Sequence, residues 1–176
     1  MILSIALLAS LALPAKPPLT YLPNRNFTAR PNNESPSVIV IHDTEDISLK
    51  RVLRLFRSRA FGNNAHFVIA KDGKIYQTAP LNMNAGHAGK SRFHGRNRVN
   101  DFSIGIELIN RGNGSDAYPE SQYRSLAKLV SWLSYRYNIP WESVTTHSQI
   151  AIPRGRKSDP HPPFSMTKLK KMVVIR

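Results

Sequence analysis

VIVIHD, residues 38–43, is the stretch on which the fold turns. Its first four residues are β-branched and apolar, so a strand built from them must be covered on both sides, as at the centre of a helix-flanked sheet. His42 stands at the end of that strand, a common place for chemistry in open sheets. A second strand, FSIGIELIN at 102–110, alternates instead: Ile104, Ile106 and Leu108 share one face, and Ser103, Gly105 and Glu107 share the other. A carboxylate on such a strand is costly to bury without a partner. Glu107 therefore either meets one or faces solvent at a sheet edge.

Helices and turns fill the intervals. From Ile47 to Arg59 the apolar positions Leu49, Val52, Leu53 and Phe56 recur at helical spacing, with Lys50, Arg51, Arg54 and Arg57 elsewhere on the wheel. Lys71-Asp72-Gly73 supplies the positive-φ residue that a tight hairpin between 66–70 and 74–78 needs. Tyr123, Leu126, Val130, Leu133 and Tyr137 mark a second helix after Pro119, and 165–171 reads as a short closing helix. Val144 to His147 is a short strand that ends, like the first, in histidine. The expectation is an α/β (α+β) fold: one domain with a mixed central sheet of about five or six strands flanked by helices.

Composition agrees with one domain and narrows the chemistry. At 176 residues and 41% hydrophobic content the chain can bury one sizeable core. It has no cysteine, which excludes disulfides, thiol nucleophiles and thiolate metal ligands. The formal net charge of +14 points to an anionic partner such as nucleic acid, anionic lipid or cell-wall polymer, or to a basic surface that only keeps the protein soluble. Ile2 to Leu13 is an apolar run, too short to span a bilayer and followed by Pro14, Pro17 and Pro18. Residues 1–15 thus read as a secretory signal lacking a basic start, or else as a buried N-terminal segment. Residues 16–37, rich in Pro and Asn, read as an arm or linker without ordered elements, ahead of a catalytic domain at 38–176.

Two strand-end histidines, His42 and His147, and Asp159 in a Pro- and Gly-punctuated loop would suffice as three protein ligands of a catalytic zinc, leaving a fourth position for water. The alternative is ordinary hydrogen-bonded histidines. Lys157, two residues before Asp159, would lie by the same centre and could stabilise an oxyanion, or be a solvated loop lysine.

VIVIHDTED, AHFVIAKDGKIYQ, NAGHAGKS, GRNRVNDFSIGIELIN and THSQIAIPRGRKSDPHPPF occur in that order between Val38 and Phe164. Together they resemble the zinc-dependent N-acetylmuramoyl-L-alanine amidases of the type 2 family, in the AmpD-like branch related to peptidoglycan recognition proteins. The resemblance implies Zn2+ held by His42, His147 and Asp159 in a groove at one sheet face, with Glu107 and Lys157 as catalytic residues. It further implies Arg98 and His87 as substrate-binding residues. The reaction implied is hydrolysis of the amide joining the lactyl group of N-acetylmuramic acid to L-alanine, on peptidoglycan or muropeptides. Periplasmic or secreted action follows from the signal-like N-terminus, with the cytoplasm as the alternative, and a monomer is expected. His161 replaces the family's usual glycine after Asp159-Pro160, which could alter the loop after the ligand and place an extra imidazole near the metal, its role left open. Ala65 stands where phage lysozyme-like relatives carry a catalytic tyrosine. The rivals are a muropeptide-recognition module that does not cut, and a nucleic-acid-binding protein. The second lacks an aromatic stacking motif or recognition helix, so no nucleic-acid partner is expected.

Overall fold

A computed structural model of the chain describes residues 13–58 and 62–175. Most of the signal-like run, residues 1–12, lies outside these. In chain order the elements are β1 (Thr20–Tyr21), β2 (Phe27–Ala29), β3 (Val38–Asp43), α1 (Leu49–Arg57), β4 (Phe67–Ile69), β5 (Ile75–Gln77), β6 (Met83–Ala85), β7 (Arg92–Phe93), β8 (Arg96–Asn97), β9 (Ser103–Leu108), α2 (Glu120–Tyr137), β10 (Val144–Thr146), α3 (His147–Ile150) and α4 (Met166–Met172). Six strands form one mixed sheet in the order β1-β5-β4-β9-β3-β10. Its centre is parallel, with β4, β9, β3 and β10 running the same way. β5 pairs antiparallel with β4 across the Asp72-Gly73 turn, where Gly73 has φ +87.

The central strands are apolar throughout because both faces are covered. On one face Ile39, Ile41, Ile104, Ile106 and Leu108 pack with Leu126, Leu129, Val130 and Leu133 of α2 and Leu169 of α4. On the other, Val38 and Val40 meet Ala88, Val99, Phe102 and Ile150, while Val68 meets Val52 and Phe56 of α1. Burial of this kind is worth about 25 cal/mol per Å² of apolar surface removed from water. Polar caps delimit the short helices: Ser48 Oγ accepts from the Arg51 amide and Ser165 Oγ from the Lys168 amide. No helix among the described residues is long and apolar enough to cross a membrane.

One expectation is corrected. Residues 20–37 carry ordered elements: β1 adds to the sheet edge beside β5, and β2 pairs with β6. Backbone pairing with β5 and β6 is reinforced by a buried cation. The Arg30 guanidinium donates to the carbonyls of Leu81, Asn100, Asp101 and Ser103, and each such charge-assisted bond compensates its desolvation. Burial lowers its pKa to about 10, so it stays charged at neutral pH. The segment is an arm laid against the sheet, not a linker.

Candidate active site

Parallel pairing puts the chemistry in one place. β3 and β9 are in register with His42 opposite Glu107, and β10 pairs beside β3 with Thr146 opposite Ile41. His42 and Glu107 thus stand side by side on one face, and His147 follows at the C-terminal end of the next strand as the first residue of α3. The loop after α3 returns Asp159 to them. A cleft of about 400 Å³ opens there, lined also by Val52, Leu55 and Phe56 of α1 and by Arg156 and Lys157.

His42, His147 and Asp159 are all buried, and their ligating atoms lie within 4.8 Å of one another. His42 Nδ1 is 3.1 Å from Asp159 Oδ2, and His147 Nδ1 is 3.0 Å from both carboxylate oxygens. The outer nitrogen of His147, Nε2, lies 3.1 Å from the Ala88 carbonyl. A carbonyl only accepts, so Nε2 carries the proton and, in the neutral ring, Nδ1 is a bare lone pair. Lone pair then faces carboxylate at hydrogen-bond distance, an arrangement that a proton on the ring or a metal ion shared by the two groups would satisfy. Asp159 Oδ1 is buried with no hydrogen-bond partner, which fits the same conclusion. Two imidazole nitrogens and a carboxylate, with no thiolate in the chain, are a donor set suited to zinc more than to the oxygen-preferring Mg2+ or Ca2+.

Electrostatics separate the two carboxylates. Burial pushes Asp159 up, but the imidazoles of His147 and His42 set against it outweigh that and hold the carboxyl below its ordinary value. Burial pushes Glu107 well above its ordinary value, and the charges of Asp159 and Asp43 push it further, against the opposing pull of Lys157. Glu107 Oε2 is buried without a hydrogen-bond partner and lines the cleft. An ionisable group pushed off its usual pKa in a cleft is a candidate for proton transfer.

The remaining expected residues are placed less simply. His87 lines the cleft, but its ring nitrogens face His42 Nε2 and Ser103 Oγ, each at 3.0 Å. Both ring nitrogens are thus engaged within the protein. Arg98 is exposed, pairs with Asp101 at 2.7 Å and is not among the residues lining the cleft. His161 does not join the ligand group. Its amide and Nδ1 both go to Asp43 Oδ2, at 2.6 and 3.0 Å, and its Nε2 goes to Ser158 Oγ. Tyr118 donates to the same Asp43 oxygen at 2.7 Å, so Asp43 ties the end of β3 to the ligand loop.

Sequence reasoning missed Ala88, Asn100 and Arg156. Asn100 Oδ1 accepts from the amides of His87 and Ala88, and Arg156 Nη2 donates to the Ala88 carbonyl. Asn100 falls inside the NDFSIG stretch and was legible as part of a motif, though not in this role.

Residues 32–162 match the N-acetylmuramoyl-L-alanine amidase family. The chain is 34% identical to the 1,6-anhydro-N-acetylmuramyl-L-alanine amidase AmpD of Citrobacter freundii, over 86% of this chain and 88% of that one. Its fold superposes on a crystal structure of a selenomethionine derivative of AmpD with a TM-score of 0.80 at 32% identity, covering 92% of this chain and 98% of the other. A complex of the amidase AmiD from E. coli with the substrate anhydro-N-acetylmuramic acid-L-Ala-D-gamma-Glu-L-Lys matches with a TM-score of 0.70 at 31% identity, covering 84% of this chain and 60% of that one.

Proposed function

Since the chain belongs to the N-acetylmuramoyl-L-alanine amidase family, we propose that the cleft at the ends of β3, β9 and β10 is its active site, with a zinc ion held by His42, His147 and Asp159. The protein is an amidase that hydrolyses the bond between the lactyl group of N-acetylmuramic acid and L-alanine. The observation that carries the metal reading is the convergence of His42, His147 and Asp159, with His147 Nδ1 held 3.0 Å from both carboxylate oxygens. When bound, zinc supplies Lewis acidity, polarising an amide carbonyl and acidifying water.

The chain's own residues do the rest. Glu107, partnerless at Oε2 and raised in pKa, takes a proton from the attacking water as its oxygen bonds to the carbonyl carbon. The Lys157 ammonium, which also lines the cleft, stabilises the negative charge that develops on the carbonyl oxygen. Glu107 then returns the proton to the alanine nitrogen as the C–N bond breaks, leaving a muramic carboxyl and a free α-amine. The apolar wall of Val52, Leu55 and Phe56 excludes water from one side of the substrate. Arg98, whose exposed ion pair with Asp101 is screened by solvent, is available to a stem-peptide carboxylate beyond the cleft.

Residues 2–13 support export, which places the enzyme among the peptidoglycan fragments of the cell envelope, and we take it to act as a monomer. Cell fractionation and sedimentation test those two points. The decisive experiment is mass spectrometry of a muramyl-tripeptide incubated with the protein as purified, after chelation, and after zinc is restored. Release of a peptide with a free N-terminal L-alanine only when zinc is present is expected; cleavage that survives chelation overturns the metal reading.

A further inference from the structure

Both imidazoles of the proposed metal site are oriented by the same two consecutive residues. We propose that the dipeptide His87–Ala88 is the shared outer support of the centre: the His87 ring positions His42, the Ala88 carbonyl positions His147, and Asn100 and Arg156 hold the dipeptide itself. The inference rests on the metal reading above and makes His87 a positioning residue.

The hydrogen-bond directions are self-consistent. With Nδ1 of His42 turned to the metal position, its Nε2 carries the proton and donates to His87 Nδ1 at 3.0 Å. His87 Nε2 is then protonated and ends the chain on Ser103 Oγ at 3.0 Å. On the other side His147 Nε2 donates to the Ala88 carbonyl. Each ligand is thereby fixed in the tautomer that leaves Nδ1 bare, the arrangement by which outer partners set ligand orientation and basicity.

The dipeptide is immobilised from three directions. Asn100 Oδ1 accepts from the His87 amide at 3.1 Å and from the Ala88 amide at 2.7 Å. Arg156 Nη2 donates to the carbonyls of Ala88 at 3.1 Å and Lys90 at 2.8 Å, while its Nε donates to Ile152. The His87 ring lies flat against Gly105, where a Cβ would stand 2.6 Å from Cδ2 and 2.8 Å from Nδ1. Only glycine leaves that space on β9.

The test measures the zinc dissociation constant of the full chain by competition with a chromogenic chelator, together with kcat and KM at saturating zinc. Wild type is expected to hold one zinc, and His147→Ala to lose it; failure of both would remove the metal reading and this inference with it. Given zinc binding, His87→Leu is expected to weaken it by about 10- to 100-fold with KM unchanged. His87→Asn should recover most of the loss, because its Oδ1 supplies an acceptor near the position of Nδ1. Asn100→Ala and the exposed-site variant Arg156→Gln should weaken zinc binding in the same direction. Unchanged zinc affinity with a raised KM in His87→Leu would make His87 a substrate contact and overturn the proposal. Equal losses in the Leu and Asn variants would overturn it too. Should His87→Leu not fold, unchanged zinc affinity in Arg156→Gln overturns it independently.

Discussion

Gly105→Ala tests the packing behind the site with one methyl group. Gly105 lies in the middle of β9 and has no positive φ, so alanine is conformationally allowed there. Considered as backbone alone, the change should stabilise the fold by about 0.4–1 kcal/mol through the unfolded chain. The added Cβ, however, would stand 2.6 Å from His87 Cδ2 and 2.8 Å from Nδ1, closer than carbon atoms pack. Overpacking of this kind costs roughly 1–3 kcal/mol, so with the middle of each range the net is a destabilisation of about 1.3 kcal/mol. In a chain of this size that lowers Tm by about 3–5 °C. His87 is the atom group that must yield, since the other side of Gly105 is the sheet, and its movement withdraws the partner of His42 Nε2. Calorimetry of the zinc-free variant reads the packing cost, and chelator competition reads the ligand effect, expected at about tenfold or more. An unchanged or raised Tm with wild-type zinc affinity would refute both the overlap and the support assigned to His87.

Four further outcomes are expected. His147→Ala should abolish zinc retention and amidase activity together, measured by metal analysis and muramyl-tripeptide cleavage; full zinc occupancy in that variant would remove His147 from the ligand set. Glu107→Gln should keep zinc and lower kcat by about 10²- to 10⁴-fold, and near-normal turnover would make Glu107 structural. Lys157→Met should lower kcat by about 10²- to 10³-fold while zinc binding persists; a change confined to KM would mean that Lys157 binds substrate without stabilising charge. In the zinc-free protein Glu107 should titrate above the carboxylate reference of about 4.3, read by carboxyl NMR. A raised acid pKa means that the folded state binds the proton more tightly, so this group lowers stability as pH rises from the unfolded value through the folded one. A midpoint at or below the reference would contradict the buried, charge-crowded setting of Glu107.

Much of the site was legible because its residues sit on periodic elements. The β-branched run ending in His42 and the alternation that isolates Glu107 from Ile104, Ile106 and Leu108 each encode a face, and a face is a local property. The ordered stretches from VIVIHDTED to RGRKSDPHPPF then named the ligand candidates without any geometry. The arm at 20–37 was not legible, because its order comes from distant partners: pairing with β5 and β6, and an Arg30 side chain reaching carbonyls 51 to 73 residues away. Proline and asparagine content describes local preference, and tertiary pairing with an ion-dipole cluster overrode it. The role of His161 was not legible for a related reason. Its position two residues after Asp159 says nothing of the Asp43 carboxylate, 118 residues away, to which its ring bonds.

The sequence by itself determined the sheet's centre, the two helices that cover it, the absence of thiolate chemistry, and which histidines, carboxylates and lysine to examine. Tertiary structure alone decided how those groups are aimed. His42 meets His87 across 45 residues, His147 meets Ala88 across 59 and His42 meets Asp159 across 117. Periodicity reports only which way a side chain leaves its own strand or helix. Tautomer, partner and the space beside Gly105 depend on which distant segments the fold brings within hydrogen-bond range, and no local pattern records that.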